Sequence, residues 1–215
     1  MDLTYRHWFF DLDGTLARTG EDIVVAWKAA LTSLGRDLAN FDKVFKIGPT
    51  LEKVVYELYD DATPQLVEDL MARFKPLYDE GGFPNTVPYP GVPELLAALK
   101  AAGAKAYIVT NKRHNATQLI VKKFGWDRIL DGVWSYDTFE TKHKKPELLA
   151  MLLKDLGVEA KDAVMVGDTK GDVDAGKANG LATIGVTWGY GTSGEVAEAD
   201  AVFSSAVEIA KNLTK

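Results

Sequence analysis

The sequence contains no cysteine and only three histidines among its 215 residues. The absence of cysteine excludes disulfide bonds, thiol catalysis and zinc sites built on thiolates. The histidines (His7, His114 and His143) are scattered along the chain, so a transition-metal site built on imidazole is not expected either. Any metal would be held by oxygen ligands, which favour a hard cation such as Mg²⁺.

The sequence also lacks an excess of basic residues and a long apolar run. Lysine and arginine number 25 against 31 aspartates and glutamates, and the formal net charge is −6. No basic track is available for a nucleic-acid backbone, and no apolar stretch approaches the roughly 20 residues that span a bilayer. The first seven residues do not resemble a signal peptide. We therefore expect a soluble, cytoplasmic protein without nucleic-acid or membrane partners; the sequence indicates no oligomeric state.

Short apolar runs alternate with helical patterns over most of the chain, and such runs are typical of strands buried on both faces of a parallel sheet. The predicted strands are residues 6–10, 105–109, 132–136, 163–166, 181–186 and 201–203. The predicted helices between them, each followed by a glycine, are residues 93–102, 114–124, 146–156 and 172–179. This alternation predicts an α/β fold with a doubly wound, Rossmann-like parallel sheet.

Residues 17–87 break this alternation. They contain no convincing buried strand, and helical patterns are predicted at residues 22–34, 50–59 and 64–78. We interpret the interval as a helical domain inserted after the first strand, with residues 1–16 and 88–215 forming the α/β core domain. The alternative is an N-terminal helical bundle, which would separate the first β-run from its sheet.

Acidic side chains follow the first and fourth predicted strands. Asp11 and Asp13 close the first strand, Asp168 closes the fourth, and Asp172 lies one helical turn beyond. In an open α/β sheet, ligands bind beyond the carboxyl ends of the strands, so the four carboxylates would converge if these strands are neighbours. Such a cluster is electrostatically costly without a cation. The pattern predicts that Asp11, Asp13, Asp168 and Asp172 bind Mg²⁺.

These aspartates belong to an ordered set of segments that resembles the four motifs of the haloacid dehalogenase superfamily. In motif order, the matching segments are Asp11-Leu12-Asp13-Gly14-Thr15, Val109-Thr110-Asn111, Lys145-Pro146 and Gly167-Asp168-Thr169-Lys170-Gly171-Asp172. The order and spacing match over essentially the whole chain, and residues 17–87 correspond to the small α-helical cap of that superfamily. Two loops, at residues 48–51 and 187–191, are similar to loops of its phosphoglycolate phosphatase branch.

The resemblance implies an Mg²⁺-dependent phosphatase whose partner is a small-molecule phosphate ester, such as phosphoglycolate or a nucleoside monophosphate. Asp11 would be the nucleophile and would carry a phospho-aspartate, and Asp13 would be the general acid and base. Thr110 would contact the phosphoryl oxygens. Lys145 would supply a positive charge to Asp11 and the phosphoryl group, although the adjacent Lys144 is a competing candidate.

The predicted substrate-binding residues are less specific than the catalytic ones. Asn111 and Gly14 fall within the motifs, whereas Lys46 and Thr50 lie in the predicted cap. The resemblance implies that the cap closes over the site and sets the substrate selectivity. A turn that caps the helix near Thr50 explains the segment equally well.

Other functions remain open at this point. A phosphomutase of the β-phosphoglucomutase type would use the same aspartates, but the Ser-Arg pair of its cap loop is absent, because Pro49 and Thr50 follow Gly48. A phosphonate hydrolase would need a cap lysine, and no motif supports one. A non-catalytic binding protein has little support, because all the chemical residues are present. Dehalogenation is disfavoured because the dehalogenase branch lacks the second aspartate of the first motif.

Overall fold

The structure is a computed structural model and describes residues 3–48 and 51–213. Its contacts divide the chain into two compact units, Met1–Arg18 with Val87–Lys215, and Thr19–Thr86. The division falls at these points because Ala17–Arg18 and Val87–Pro88 pair as a short antiparallel ribbon within the first unit. The role of the helical unit as a cap stays a prediction.

The larger unit is built on a parallel sheet. In chain order, the strands of the molecule are β1 (His7–Phe10), β2 (Ala17–Arg18), β3 (Val87–Pro88), β4 (Lys105–Thr110), β5 (Gly132–Ser135), β6 (Ala163–Gly167), β7 (Ala182–Val186) and β8 (Ala201–Phe203). The sheet has the spatial order β5-β4-β1-β6-β7-β8, and all its pairings are parallel. Strands β2 and β3 form the separate ribbon. The predicted doubly wound α/β fold is confirmed.

The order of the strands places β1 at the centre, between β4 and β6. The chain proceeds outward from β1 to β4 and β5 on one side and then returns to build β6, β7 and β8 on the other. Strand β1 is therefore the point at which the winding direction reverses, and ligand sites of open α/β sheets lie beyond the carboxyl ends of the strands at such a point.

Apolar packing on both faces fixes β1 in this central position. Trp8, Phe9 and Phe10 are fully or almost fully buried, and the ring of Phe9 stacks on that of Tyr107, with 5.1 Å between centroids. Each such side chain contributes about 1.5–3 kcal/mol by leaving water. Because Phe10 pairs with Val166 of β6 and Ile108 of β4, the residues that follow these strands are carried to one edge of the sheet.

The helices that accompany the sheet are α5 (Val92–Ala101), α6 (His114–Lys123), α7 (Lys145–Leu156), α8 (Lys170–Ala178) and α9 (Ala206–Leu213). The first four correspond to the predicted helices, with α8 beginning two residues earlier than expected. Helix α9, which packs against α5, has no counterpart among the predicted helices. Two turns of 3₁₀-helix, Trp126–Arg128 and Ala160–Asp162, precede β5 and β6.

The smaller unit contains α1 (Gly20–Ser33), α2 (Phe41–Val44), α3 (Leu51–Leu58) and α4 (Pro64–Glu80). Helices α1 and α4 pack against each other, and Trp27 of α1 is surrounded by three phenylalanine rings at centroid distances of 5.2–6.3 Å. The short α2 was not among the predicted helices. None of the helices in the described part of the chain is long and apolar enough to cross a membrane.

A buried carboxylate ties the beginning of the helical unit to its end. Asp22 of α1 accepts hydrogen bonds from the backbone and side-chain nitrogens of Asn85, at 3.0–3.2 Å, and from the hydroxyl of Thr86 at 2.6 Å. Its removal would leave these donors without their acceptor in a largely dry environment, which costs more than the loss of an exposed contact.

We predict that Asp22→Ala lowers the free energy of unfolding by about 2 kcal/mol. The matched control is Asp42→Ala, which removes an exposed carboxylate of the same unit that pairs with Lys28, and this change should cost at most about 1 kcal/mol. Urea denaturation followed by circular dichroism measures both. Equal losses in the two variants would contradict the structural role assigned to Asp22.

Candidate active site

The carboxyl edge of the sheet brings together the polar residues predicted from the motifs. Asp11 directly follows β1, and its backbone N–H donates to the carbonyl of Val166 in β6 at 3.0 Å. Asp168 directly follows β6, and Thr110 is the last residue of β4. Since β4, β1 and β6 are adjacent parallel strands, these residues emerge side by side at one edge.

Three of the aspartates form a compact buried group. Asp11, Asp168 and Asp172 each offer a carboxylate oxygen, and these three oxygens lie within 4.8 Å of one another. Among the described residues, this group does not include Asp13, the fourth predicted metal ligand. The carboxylate of Asp13 instead lies against the ammonium group of Lys112, and its role as a metal ligand stays a prediction.

The structure distinguishes between the two candidate lysines. Lys145 is buried, and its Nζ lies 3.0 Å from Oδ1 of Asp11 and 2.5 Å from Oδ1 of Asp172. Lys144 is exposed, and its backbone N–H donates to Glu147 at the start of α7. Burial alone would lower the pKa of Lys145, but Asp11 and Asp172 outweigh this effect and raise its pKa above the usual value. Lys145 is therefore a fixed positive charge in the site.

Asp172 is held by hydrogen bonds at both of its oxygens. Oδ1 accepts from Lys145, and Oδ2 accepts from the backbone N–H and the hydroxyl of Thr169, at 3.0 and 2.7 Å. The contacts with Thr169 form a capping box at the N-terminus of α8. Asp172 thus connects the beginning of α8 to Lys145 and fixes the position of that lysine.

Asp168 is also held firmly, and part of its environment was not predicted. Its Oδ1 accepts from the hydroxyl of Thr15 at 3.0 Å, and its Oδ2 accepts from the backbone N–H groups of Tyr190 and Gly191 at 2.7 and 3.2 Å. Tyr190 and Gly191 belong to the loop at residues 187–191 whose resemblance to a phosphatase loop was noted from the sequence, but Thr15 was not among the predicted site residues. Its place at the end of the first motif is the signal that could have identified it.

Gly14 allows the loop after β1 to approach Asp168. Its φ of +86° lies in the left-handed region, and a Cβ atom at this position would collide with the carboxylate of Asp168. Steric constraints alone therefore require a glycine at position 14, whether or not this residue contacts a substrate. Its predicted contact with substrate stays a prediction.

Asp11 carries the one buried side-chain oxygen that lacks a hydrogen-bond partner among the described residues. Its Oδ1 forms an ion pair with Nζ of Lys145 at 3.0 Å and accepts no hydrogen bond from any other described residue. Burial raises the pKa of Asp11 to about 7; Lys145 opposes the shift, and Asp172, Asp168 and Asp13 add to it. A buried carboxylate oxygen that is crowded by other carboxylates is suited to a cation.

The pKa of Asp168 is shifted in the same direction. Burial raises it to about 6, Asp172 adds to the shift, and the hydrogen bonds from Gly191, Tyr190 and Thr15 oppose it. Both shifts have the cause expected when carboxylates are crowded together in a dry site. The donor set contains oxygen and no sulfur or imidazole, which fits a hard divalent cation such as Mg²⁺.

The turn after β4 contributes a residue that sequence reasoning did not identify. Thr110 is buried, and its Oγ1 accepts from the backbone N–H of Lys112 at 3.2 Å. The Nζ of Lys112 donates to both carboxylate oxygens of Asp13, at 3.1 and 3.2 Å. Asn111, between them, is exposed. Lys112 immediately follows the second motif, and this adjacency was the available signal.

Lys46 and Thr50 are the two substrate-binding residues predicted in the cap. Lys46 is an exposed residue that follows α2 in the helical unit. Thr50 lies outside the described residues. Their contact with substrate stays a prediction.

Comparison with known proteins identifies the family. Residues 8–186 match the family of haloacid dehalogenase-like hydrolases. The chain therefore belongs to this family, and the predicted enzyme class, a phosphatase of the haloacid dehalogenase type, is confirmed.

Individual relatives span nearly the whole chain. The chain is 34% identical to phosphoglycolate phosphatase of Aquifex aeolicus, with 84% of each chain covered, and 34% identical to a 5′-nucleotidase of Pseudomonas aeruginosa, with 90% of this chain and 88% of the relative covered. The crystal structure of a predicted phosphoglycolate phosphatase from Haemophilus somnus 129pt superposes with a TM-score of 0.86 at 26% identity, over 99% of both chains.

We predict that Mg²⁺ raises the melting temperature more at about pH 8 than at about pH 5. The pKa values of Asp11 and Asp168 are raised in the folded state, so the folded, metal-free protein binds protons more tightly than the unfolded chain does. The folded state therefore loses stability as the pH rises from about 4 to 7. Mg²⁺ requires the ionised carboxylates, so its stabilising effect grows over the same interval. Thermal denaturation with and without Mg²⁺ across this range measures the difference.

The controls for this experiment are two aspartates close together in sequence. Asp168→Asn should abolish most of the Mg²⁺ effect, whereas Asp174→Asn should retain it, because the carboxylate of Asp174 is exposed and pairs with Lys170. An Mg²⁺ effect that is independent of pH, or that survives Asp168→Asn, would place the cation elsewhere.

Proposed function

We propose that the chain hydrolyses a phosphate monoester of a small metabolite with the help of Mg²⁺, through a phospho-aspartate formed on Asp11. The observation that carries this proposal is the buried Oδ1 of Asp11, which lies 3.0 Å from Nζ of Lys145 within the group of buried aspartates. Crowding buried carboxylates together is costly unless a cation accompanies them, and such a cost is typical of sites where the groups are needed for binding or chemistry.

Asp11 and Asp168 are the residues that would hold the cation. Both oxygens of Asp172 already accept hydrogen bonds from Lys145 and Thr169. Asp172 would therefore hold Lys145 in position and would not bind the cation directly. With Asp13 protonated for the first step, the carboxylates of Asp11, Asp168 and Asp172 and the two lysines that contact the four aspartates leave a formal charge of −1. When bound, Mg²⁺ would neutralise this charge and allow the anionic phosphoryl group to approach.

In the first step, a carboxylate oxygen of Asp11 attacks phosphorus and the bond to the leaving oxygen breaks. Asp13, protonated at one oxygen, gives its proton to the leaving oxygen, and the product alcohol departs. In the second step, Asp13 accepts a proton from water while the water oxygen attacks the phospho-aspartate. Inorganic phosphate leaves and both carboxylates return to their starting state.

Two further residues would stabilise the phosphoryl group. Lys145 supplies a fixed positive charge within 3.0 Å of the attacking carboxylate. The hydroxyl oxygen of Thr110 accepts from the backbone of Lys112, which leaves its hydrogen to be donated to a phosphoryl oxygen. Catalysis of phosphoryl transfer rests largely on positioning and charge stabilisation of this kind.

The relatives support a small phosphorylated substrate. They include a phosphoglycolate phosphatase and a 5′-nucleotidase, so phosphoglycolate and nucleoside monophosphates are the substrates to test first. We propose that Lys46 and Thr50 of the helical unit and the exposed Asn111 that follows β4 distinguish between such substrates. Gly14 would form part of the wall of the phosphoryl site.

We predict that Asp11→Asn lowers Mg²⁺-dependent phosphate release by about 10³-fold or more, because an amide cannot replace the attacking carboxylate. Phosphate release is measured with an aryl phosphate, phosphoglycolate and nucleoside monophosphates. Asp174→Asn, which removes an exposed carboxylate, should retain wild-type rates.

Substantial activity in Asp11→Asn would reject the assigned nucleophile. Product analysis with a sugar phosphate separates a phosphatase from a phosphomutase. Free phosphate is the expected product, and an isomeric sugar phosphate without free phosphate would reject hydrolysis.

A further inference from the structure

A second lysine, Lys112, makes a nearly buried ion pair in the site. Its Nζ lies 3.1 Å from Oδ1 and 3.2 Å from Oδ2 of Asp13. The side chain of Lys112 is 6% exposed and that of Asp13 is 15% exposed. The proposed mechanism assigns a role to Asp13 but none to this lysine.

The degree of burial distinguishes this pair from surface ion pairs of the same chemistry. Lys105 and Asp131 also pair, at 2.7 Å, but their side chains are 55% and 26% exposed. Removing a lysine from water has a large desolvation cost, so a buried pair is weak evidence for added stability. The geometry of the contact, by contrast, is specific, because one ammonium group holds both oxygens of one carboxylate.

The backbone that carries Lys112 is itself fixed. The Oγ1 of Thr110 accepts from the backbone N–H of Lys112, and the carbonyl of Thr110 accepts from the backbone N–H of Tyr136 at 3.1 Å. From this turn after β4, the lysine side chain reaches the loop after β1, the neighbouring strand. Lys112 therefore connects the two loops that carry Thr110 and Asp13.

We propose that Lys112 is a positioning residue that fixes the carboxylate of Asp13 for proton transfer. This proposal rests on the proposed function, in which Asp13 is the general acid and base. A carboxylate can rotate about its terminal bonds, and contact at both oxygens restricts that rotation. Proton transfer requires the donor and acceptor to be held at hydrogen-bond distance, so restricting Asp13 favours the reaction.

The contact of Lys112 with both oxygens of Asp13 is compatible with both proton transfers. When one oxygen of Asp13 carries the proton destined for the leaving group, the other oxygen still accepts from Nζ of Lys112. After the proton has moved to the leaving oxygen, both oxygens of Asp13 can accept again. Lys112 acts through Asp13, whereas Lys145 contacts Asp11 and Asp172. The two lysines should consequently give different kinetic phenotypes.

The test is a double-mutant cycle on the steady-state kinetics of phosphate release. Lys112→Met retains length and apolar packing but removes the charge, and it should lower kcat by about 10²-fold with KM changed by less than about 3-fold. In the Asp13→Asn background, Lys112→Met should cause no further loss, because the carboxylate that it positions is already gone. Lys112→Arg should recover part of kcat.

The matched control lies on the same strand. Lys105→Met removes a lysine that pairs with an aspartate at the opposite end of β4, and it should leave kcat and KM unchanged. Circular dichroism and melting temperature of each variant establish the folded fraction. If Lys112→Met does not fold, Lys112→Arg and Lys112→Gln complete the same cycle with Asp13→Asn.

The outcomes separate this proposal from the proposed function. An Lys112→Met variant with wild-type kcat, or one whose loss is equally large in the Asp13→Asn background, would overturn the positioning role. An increase in KM in both backgrounds would also overturn it, because it would indicate direct contact with substrate. If the wild-type protein releases phosphate and Asp11→Asn does not, these outcomes for Lys112→Met refute the positioning role of Lys112 and leave the proposed phosphatase function intact. If the wild-type protein releases no phosphate from any ester, both proposals fail.

Discussion

Asp11, Asp168 and Asp172 meet at one edge of the sheet, where burial removes much of the water that would otherwise stabilise their charges. The raised pKa values of Asp11 and Asp168 are the direct consequence of this crowding. Lysines 112 and 145, the hydroxyl of Thr15 and the backbone of the loop after β7 offset part of the cost. They do not offset all of it, because the pKa values of Asp11 and Asp168 stay raised in their presence.

The fold provides the rigidity that such an arrangement needs. Strand β1 is packed by fully buried aromatic side chains and is flanked on both sides by parallel strands, so the residues after β4, β1 and β6 cannot easily move apart. Helices α7 and α8 begin at the site and pack against each other, and Asp172 connects the first turn of α8 to Lys145 at the start of α7. The charges are therefore fixed by the backbone elements that carry them, which is the condition for preorganised electrostatic catalysis.

Part of this site could be predicted from the sequence because it depends on strand ends. Asp11 and Asp168 terminate apolar runs, and any parallel sheet that places those runs side by side brings the two residues together. The resemblance favoured Lys145 over the adjacent Lys144, because Lys145 immediately precedes Pro146. The difference in burial between the two lysines could not be predicted from the pattern. It depends on the start of α7, which directs Lys145 inward and leaves Lys144 exposed.

The contacts that were missed depend on the conformations of loops. The pairing of Lys112 with Asp13 requires the particular turn that Thr110 stabilises, and the contact of Thr15 with Asp168 requires the left-handed conformation of Gly14. Neither follows from hydrophobic periodicity. Helix α9 carried an amphipathic pattern that could have been recognised, whereas α2 is only one turn long and is too short for a periodic signal.

The most direct test of the central claim is to locate the cation. Crystals grown with Mn²⁺ in place of Mg²⁺ should give an anomalous scattering peak within roughly 2.5 Å of carboxylate oxygens of both Asp11 and Asp168, as expected for a hard cation bound by oxygen. A peak at another position, or a well-ordered carboxylate cluster with no bound cation at saturating Mn²⁺, would contradict the account.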